Sequence, residues 1–575
     1  MARKPDLVLR NGTIVNGSGG APFRADVAVA DGVITEIGNV AVPGSEEIDA
    51  DGLLVTPGFV DIHTHYDGQV TWDSRLAPSS LHGVTTAVMG NCGVGFAPVR
   101  AAQHDLLIEL MEGVEDIPGT ALHEGLPWSW SSFPEYLDAI ERTPHDIDVC
   151  AQIPHGALRV YVMGERGAHR EVATDDEIAT MRDVVAQALH AGALGFTSSR
   201  TVQHRTSTGA PTPTLNAAEA ELRGIAAGLR QAGTGVFEMI SDFDDVDGEF
   251  DMFCRMVEDA GRPMTISLAQ HDSAPDDWKR ILGRIEAAAA RGLPIKGQVA
   301  ARPIGLLLGL ECSLHPFVTC PSYRAIARRP LADRVRELRN PELRRRILGE
   351  TADATARATV RYIARAYHKL FRLGDPPDYE PDPDHSIAAQ AAREGRPPAE
   401  LAYDLLLESD GREILYFPLH NYTELTLDVA RQMMAHKDTL SGLGDGGAHV
   451  GTICDASFTT YALTHWGRDR ARGRFELPWL IKRQTHDTAA AVGLFDRGLV
   501  QPGMKADLNV IDFARLRLRR PYIVHDLPAR GRRLMQNAEG YVATIVNGVV
   551  TYREGEPTGA LPGKLVRGAQ RRRSV

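Results

Sequence analysis

The sequence predicts an α/β chain: a (β/α)8 TIM-like barrel inserted into a small β-sandwich that the N- and C-terminal segments build together. Three observations predict it. Both ends carry the same hairpin-like pattern, and the string IVNG occurs in each. The long middle alternates short apolar runs with helical stretches, the signature of βαβ units around a parallel sheet. Those runs are continuously apolar, as strands buried on both faces must be.

Residues 1–55 form the first part of the sandwich. "DLVLRNGTIVNG" reads as two short strands around an Asn11-Gly12 turn, and "ADVAVADGVITEIG" repeats the form around Asp31-Gly32. Such dipeptides between apolar runs signal hairpins, because both turn residues need positive φ. Residues 500–575 form the second part, with "ADLNVIDF" and "YVATIVNGVVTYREG" turning at Asn547-Gly548. Residues 56–499 form the barrel, with strand runs such as "GVTTAVMG", "GALGFTSS", "GTGVFEMI", "PMTISLA" and "TLSGLGDGG". "ATDDEIATMRDVVAQALHAG" is one of its helices: Thr174 caps it, acidic residues fill its first turn, and Gly192 ends it. With so many units, a closed barrel is favoured over an open sheet. From about 330 to 410 the chain is helical and charged, interrupted by "GDPPDYEPDPDHS", whose prolines leave an extended link. This reads as an insertion over the barrel mouth, either a lid or a packing element.

The 575 residues carry a net charge of −12, the opposite of the basic excess a nucleic-acid partner selects. Arg571, Arg572 and Arg573 are too short a run to alter that and read as a solvated end. Met1 to Asp6 is charged, no apolar h-region follows, and no run approaches the ~20 apolar residues that span a bilayer. A cytoplasmic protein with no membrane partner is expected. The six cysteines are scattered without a CxxC pair, and all but Cys92 read as small buried apolar residues. The expected partners are a small-molecule substrate and copies of the chain itself, as a homo-oligomer.

The sharpest chemical signal is His63-Thr64-His65, closing "TPGFVDIHTH". Residues i and i+2 of a strand face one side, so the two imidazoles point together at a strand end. That pairing, with Asp61 and Asp67 beside it, suits Zn²⁺ or another divalent transition metal. Cys92, just past a strand in "GVTTAVMGNCG", is either a thiolate ligand or a small buried residue. Asp445 in "LSGLGDGGAHVG" ends a late strand. A carboxylate there can ligate a metal and act as general base towards water whose pKa the metal brings from 15.7 to roughly 7. His155 in "QIPHGALR" and His449 in "DGGAHVG" are secondary substrate contacts, or packed histidines. Arg302 in "AARPIG" could grip a substrate carboxylate bidentately or form a structural ion pair. His204 in "TVQHRTSTG" is the weakest candidate.

The strand HxH, the "GNCG" loop, the late-strand Asp and the split terminal sandwich together resemble the amidohydrolase superfamily, and within it the D-aminoacylase (N-acyl-D-amino-acid deacylase) branch. "PHGALRVYVMG", "HSIAAQAAREGRPPAELAYDLLLE" and "GMKADLNVIDF" extend the resemblance over nearly the whole chain. It implies a zinc-dependent deacylase acting on an N-acyl-D-amino acid, with His63, His65, Cys92 and Asp445 as metal residues and Asp445 as base. The chain departs from the pattern at the strand-five and strand-six histidines, which align with Ile240 and Leu268. Glu238 and His271 lie close by as substitute ligands. No lysine sits in "GALGFTSS", and the lysine that helps hold the substrate carboxylate falls near Gln270. The favoured expectation is one ion on His63, His65 and Asp445, with two ions as the alternative. Two rival functions share the scaffold: a cyclic amidase, lactonase or carbamate hydrolase, and a non-catalytic assembly protein.

Overall fold

The computed structural model describes residues 4–351, 353 and 355–571. Residues 1–3 of the charged N-terminus, and Arg572 and Arg573 of the basic tail, lie outside the described residues.

The two ends of the chain meet in one nine-stranded sheet, in the order Glu556–Pro557, Val549–Arg553, Tyr541–Val546, Leu508–Ile511, Leu54–Pro57, Leu7–Ile14, Phe23–Ala30, Val33–Gly38, with Glu46–Asp49 also paired to Leu7–Ile14. The seam is the antiparallel pair Leu54–Pro57 with Leu508–Ile511. Leu7 and Leu9, Val27 and Val29, Leu508 and Val510, and Ala543 and Ile545 share one core, each pair two residues apart as strand geometry requires. Asp31 and Gly32 take φ of 51° and 73°, and Asn547 and Gly548 take 52° and 77°, so both are tight hairpin turns. Asn11 behaves differently from expectation. Leu7–Ile14 runs through it as one strand, because both halves pair with Phe23–Ala30 and not with each other. Its φ of 61° makes a bulge, seen as a register shift between Leu9 and Gly12.

Between the two ends, parallel strands follow in chain order. The first, second and third, Phe59–Asp61, Val84–Met89 and Asp148–Ala151, pair in sequence. The third continues as Ile153–Pro154, which pairs with the fourth, Gly195–Arg200. The fifth, sixth, seventh and eighth follow as Val236–Ser241, Met264–Ser267, Ile295–Val299 and Thr439–Ser441. The first and last meet past their C-terminal ends at a parallel Thr64–Gly446 bridge. There His65 N donates to Gly446 O at 2.7 Å and Asp445 N to His63 O at 3.1 Å. The helix Asp175–Ala191 is capped as the sequence predicts: Thr174 accepts from Glu177 N, Glu177 answers with its carboxylate, and Gly192 at φ 114° ends it.

After the seventh strand the chain builds a separate unit. Its antiparallel strands, Ile304–Leu308, Leu415–His420 and Phe371–Arg372, pack with helices that include Leu331–Leu338, Pro341–Gly349, Ile387–Glu394 and Pro398–Leu406 around a core of their own. The stretch read from sequence as 330–410 lies inside this unit, whose strands flank it on both sides. It docks on Asp272, past the sixth strand, which accepts from Lys369 Nζ at 2.7 Å, Tyr362 OH at 2.8 Å and Thr423 Oγ1 at 2.7 Å. All six cysteines are free and buried. Among the described residues no helix is long and apolar enough to cross a membrane.

Candidate metal centre

The seam between the first and last strands is where the chemistry gathers. His63 and His65 follow Phe59–Asp61 and are buried, with ring centroids 5.5 Å apart. Asp445 reaches them from the other side of the seam. Its Oδ1 is 3.3 Å from His63 Nε2 and 3.8 Å from His65 Nε2. The backbone there permits this approach only because side chains are missing: Gly447 sits at φ 87°, and a Cβ on it would fall 2.8 Å from His65 O. Asp445 itself takes φ of 47°, a left-handed conformation that aspartate tolerates better than most residues.

Cys92 comes from the turn after the second strand, also at positive φ (54°). Asn91 holds the turn by donating to Thr64 O and Val88 O, and Gly93 N donates to Thr197 Oγ1. Cys92 Sγ then lies 3.4 Å from His63 Nε2, the same atom that Asp445 Oδ1 approaches at 3.3 Å. Cys92 N donates to Glu238 Oε2 at 2.7 Å. Ligand atoms of His63, His65 and Cys92 all lie within 4.8 Å of one another.

The tautomer of His63 follows from its outer partners. Thr265 Oγ1 donates to Phe237 O and accepts from Gln298 Nε2 at 2.8 Å. That fixes the amide so that Gln298 Oε1 faces His63 Nδ1 at 2.9 Å. Nδ1 must carry the proton, which leaves Nε2 bare towards Cys92 and Asp445. His65 Nδ1 lies 3.2 Å from Glu115 Oε1 without a hydrogen bond between them, so this carboxyl is a neighbour to which the ring can turn a proton when its Nε2 is occupied. Glu115 ends the helix His104–Glu115, is 1% exposed, and lies 3.6 Å from His449 Nε2 through its other oxygen.

The electrostatics ask for a cation. Burial pushes the Asp61 carboxyl up to about 8 and the Asp67 carboxyl up to about 7. It also raises Asp445, Glu115 and Glu238, drives the Cys92 thiol up, and holds His63 and His65 below the usual imidazole range. Glu238 Oε1, Glu115 Oε2 and Asp61 Oδ2 are buried without a hydrogen-bond partner. Among the described residues, the ion pairs of Asp445 and Glu115 are to histidine alone. Neutral imidazoles, a thiol and uncompensated carboxylates fit a borderline divalent ion such as zinc.

The other candidates separate. His449 stands at the centre, by Glu115. Glu238 touches Cys92, but outside the compact donor group, and His271 lies apart on the surface, its ring tilted 54° against that of His420 at 4.2 Å. Ile240 ends the fifth strand, opposite Ser199. Leu268 faces outward towards Ile285, since a Cβ on Gly297 would meet both. Gln270 is committed to Asn421 and Glu424. Arg302 takes the structural role: 1% exposed, it donates to Asp455 at 2.6 Å, to Ser457 and to Cys454 O, leaving no fork for a substrate carboxylate. His155 is likewise consumed, with Nδ1 at Ser198 Oγ and Nε2 at Glu221 Oε1, both 2.8 Å. Sequence reading missed Glu115 and Gln298. Glu115 carries one signal in hindsight, a carboxylate at the apolar end of an amphipathic helix.

Glu115→Gln keeps the shape but weakens the acceptor behind His65. It is expected to lower zinc affinity about 10- to 100-fold, as losses of such partners do, in a competition titration against a chromophoric chelator. Unchanged affinity would remove Glu115 from the site.

Comparison with known proteins gives the family. The profile of the Amidohydrolase family matches residues 46–552. D-aminoacylase of Alcaligenes xylosoxydans xylosoxydans is 27% identical over 98% of this chain and 97% of its own. N-acyl-D-aspartate deacylase of the same organism is 35% identical over 34% of this chain and 36% of its own. The crystal structure of N-acyl-D-glutamate deacylase from Bordetella bronchiseptica, complexed with zinc and a phosphonate inhibitor, shares the fold with a TM-score of 0.65 at 23% identity, covering 98% of this chain and all of that one.

Proposed function

Since the chain belongs to the amidohydrolase family, in its D-aminoacylase-like branch, we propose that it hydrolyses the amide of an N-acyl-D-amino acid at a zinc site on His63, His65 and Asp445. It is a hydrolase of C–N bonds other than peptide bonds. The observation that supports the site assignment is the convergence of the Nε2 atoms of His63 and His65 on Asp445 Oδ1. In this reading the eight parallel strands close as a (β/α)8 barrel, with the Thr64–Gly446 bridge as the closing seam and the terminal sheet as the sandwich beside it.

An ion held by His63, His65 and Asp445 would supply Lewis-acid polarisation of the scissile carbonyl and would make water acidic enough to be a nucleophile near neutral pH. The protein supplies the rest. Gln298 holds the His63 ring by a hydrogen bond, and Glu115 stands behind His65 to take up its Nδ1 proton contact. Asp445 accepts the proton of the attacking water through a carboxylate oxygen and returns it to the departing amine nitrogen. Cys92, whose Sγ approaches the same Nε2 of His63, offers a further donor beside Glu238, and a second ion would use that pair. The names of the relatives support a D-configured N-acyl substrate.

The test is a panel of N-acetyl-D-amino acids, N-acetyl-L-amino acids and cyclic amides, run with protein of measured zinc content. Turnover confined to N-acetyl-D-amino acids is the expected result. Turnover of cyclic amides alone, or none at full zinc occupancy, would overturn the reading.

A further inference from the structure

The imidazole of His204 has no part in the scheme so far. His204 lies in the loop after the fourth strand, and several contacts hold it in place. Ser199 Oγ meets His204 Nδ1 at 2.9 Å. Ser199 stands two residues past Thr197, whose hydroxyl meets Gly93 in the Cys92 turn, so it shares the inward face of the strand one step nearer the mouth. The turn reaches Ser199 too: a Cβ on Gly93 would lie 3.0 Å from its backbone nitrogen.

The loop is built onto its neighbours. Val202 N donates to Asp242 Oδ2 at 2.7 Å, beyond the fifth strand. On the opposite flank Ser207 N donates to Glu109 O at 2.8 Å. Gly113 lets the loop backbone touch the helix, since a Cβ there would fall 2.1 Å from Thr206 C and 2.2 Å from Arg205 O. Gly113 lies two residues before Glu115, the partner of His65 and His449. His204 is therefore bracketed between the Cys92 turn and the Glu115 helix end. It also lies within electrostatic reach of His63, His65 and His449. The fifth-strand residue beside its anchor, opposite Ser199, is the apolar Ile240.

We propose that His204 is a catalytic residue whose Nε2–H donates a hydrogen bond to the oxygen that gains negative charge as the scissile carbonyl becomes tetrahedral. The inference rests on the amide-hydrolase reading above. The proposed arrangement has Ser199 Oγ–H donating to Nδ1, with the ring proton on Nε2. Burial holds the ring's pKa at about 3, so the imidazole is a neutral donor that stays in place without being charged first. A positioned donor of this kind stabilises the transition state more than the ground state.

The experiment uses the full-length zinc-loaded protein and methylphosphonate, a tetrahedral oxyanion, titrated calorimetrically. His204→Ala is expected to bind it about 10- to 100-fold more weakly at unchanged zinc content. His204→Gln, which keeps an N–H donor, recovers part of the loss, and Ser199→Ala shows a smaller loss. On the best substrate of the panel, His204→Ala lowers kcat roughly 10²- to 10³-fold with little change in KM. Methylphosphonate affinity within twofold of the parent protein would overturn the proposal. So would loss of zinc from His204→Ala, which would make the residue a ligand. A protein that cleaves no N-acyl compound refutes the amide reading alone, and the methylphosphonate titration still decides the role of His204.

Discussion

Asp445→Asn is expected to yield a folded, zinc-loaded protein whose kcat falls by at least about 10³-fold. The amide keeps the volume of the carboxylate and one oxygen directed at His63 and His65, so the seam stays packed. It loses the basicity that takes a proton from water, and general-base contributions of this kind run to roughly 10²–10⁴. It also loses a charged contact to the ion. Steady-state kinetics with zinc quantified in the same samples checks the prediction. Activity within tenfold of the parent at equal zinc would assign the proton transfer to another group.

Metal removal is the second large effect. Dialysis against a strong chelator should bring turnover below detection, and stoichiometric zinc should restore it. The double variant His63→Ala, His65→Ala should fail to recover at any zinc concentration tested. The strength of this expectation lies in the buried carboxylates. Asp445, Glu115 and Glu238 are all pushed towards their neutral forms by burial, and their ion pairs among the described residues are at most to histidine. An ion that neutralises them binds the folded chain and not the unfolded one, so zinc should also raise the melting temperature of the parent protein. Elemental analysis and thermal scans of metal-free and reloaded protein test both halves. Full activity in protein shown to be metal-free would end the metal-dependent reading.

The parts of this site that sequence discloses are those fixed by short-range geometry. His63 and His65 are two apart at the end of an apolar strand, so their shared direction follows from strand pleating alone. Asp445 sits among glycines that announce close backbone approach. The hairpins at Asp31-Gly32 and Asn547-Gly548 are legible for the same reason. What long-range pairing decides is not legible. Asn11-Gly12 carries the same turn chemistry, yet its flanking segments pair with a third strand and the turn becomes a bulge. Arg302 and His155 have the right functional groups, but Asp455 and Glu221 consume them, and neither partner lies near in sequence. Glu115 and Gln298 are ordinary polar residues until the fold aims them at the Nδ1 atoms of His65 and His63. The strands Ile304–Leu308 and Leu415–His420 that frame the 330–410 stretch are not legible as its own, because short apolar runs look alike whichever sheet they join.

The seam between Leu54–Pro57 and Leu508–Ile511 has a consequence for biosynthesis. A ribosome adding ~5–20 residues per second needs tens of seconds to travel from one partner to the other. Throughout that interval the N-terminal strands present an open apolar edge, a template for pairing with another nascent chain. Soluble yield should therefore depend on translation speed and chaperone supply. Truncation ahead of residue 508 would leave that edge permanently open, and such fragments should aggregate even though every metal-centre residue is present in them.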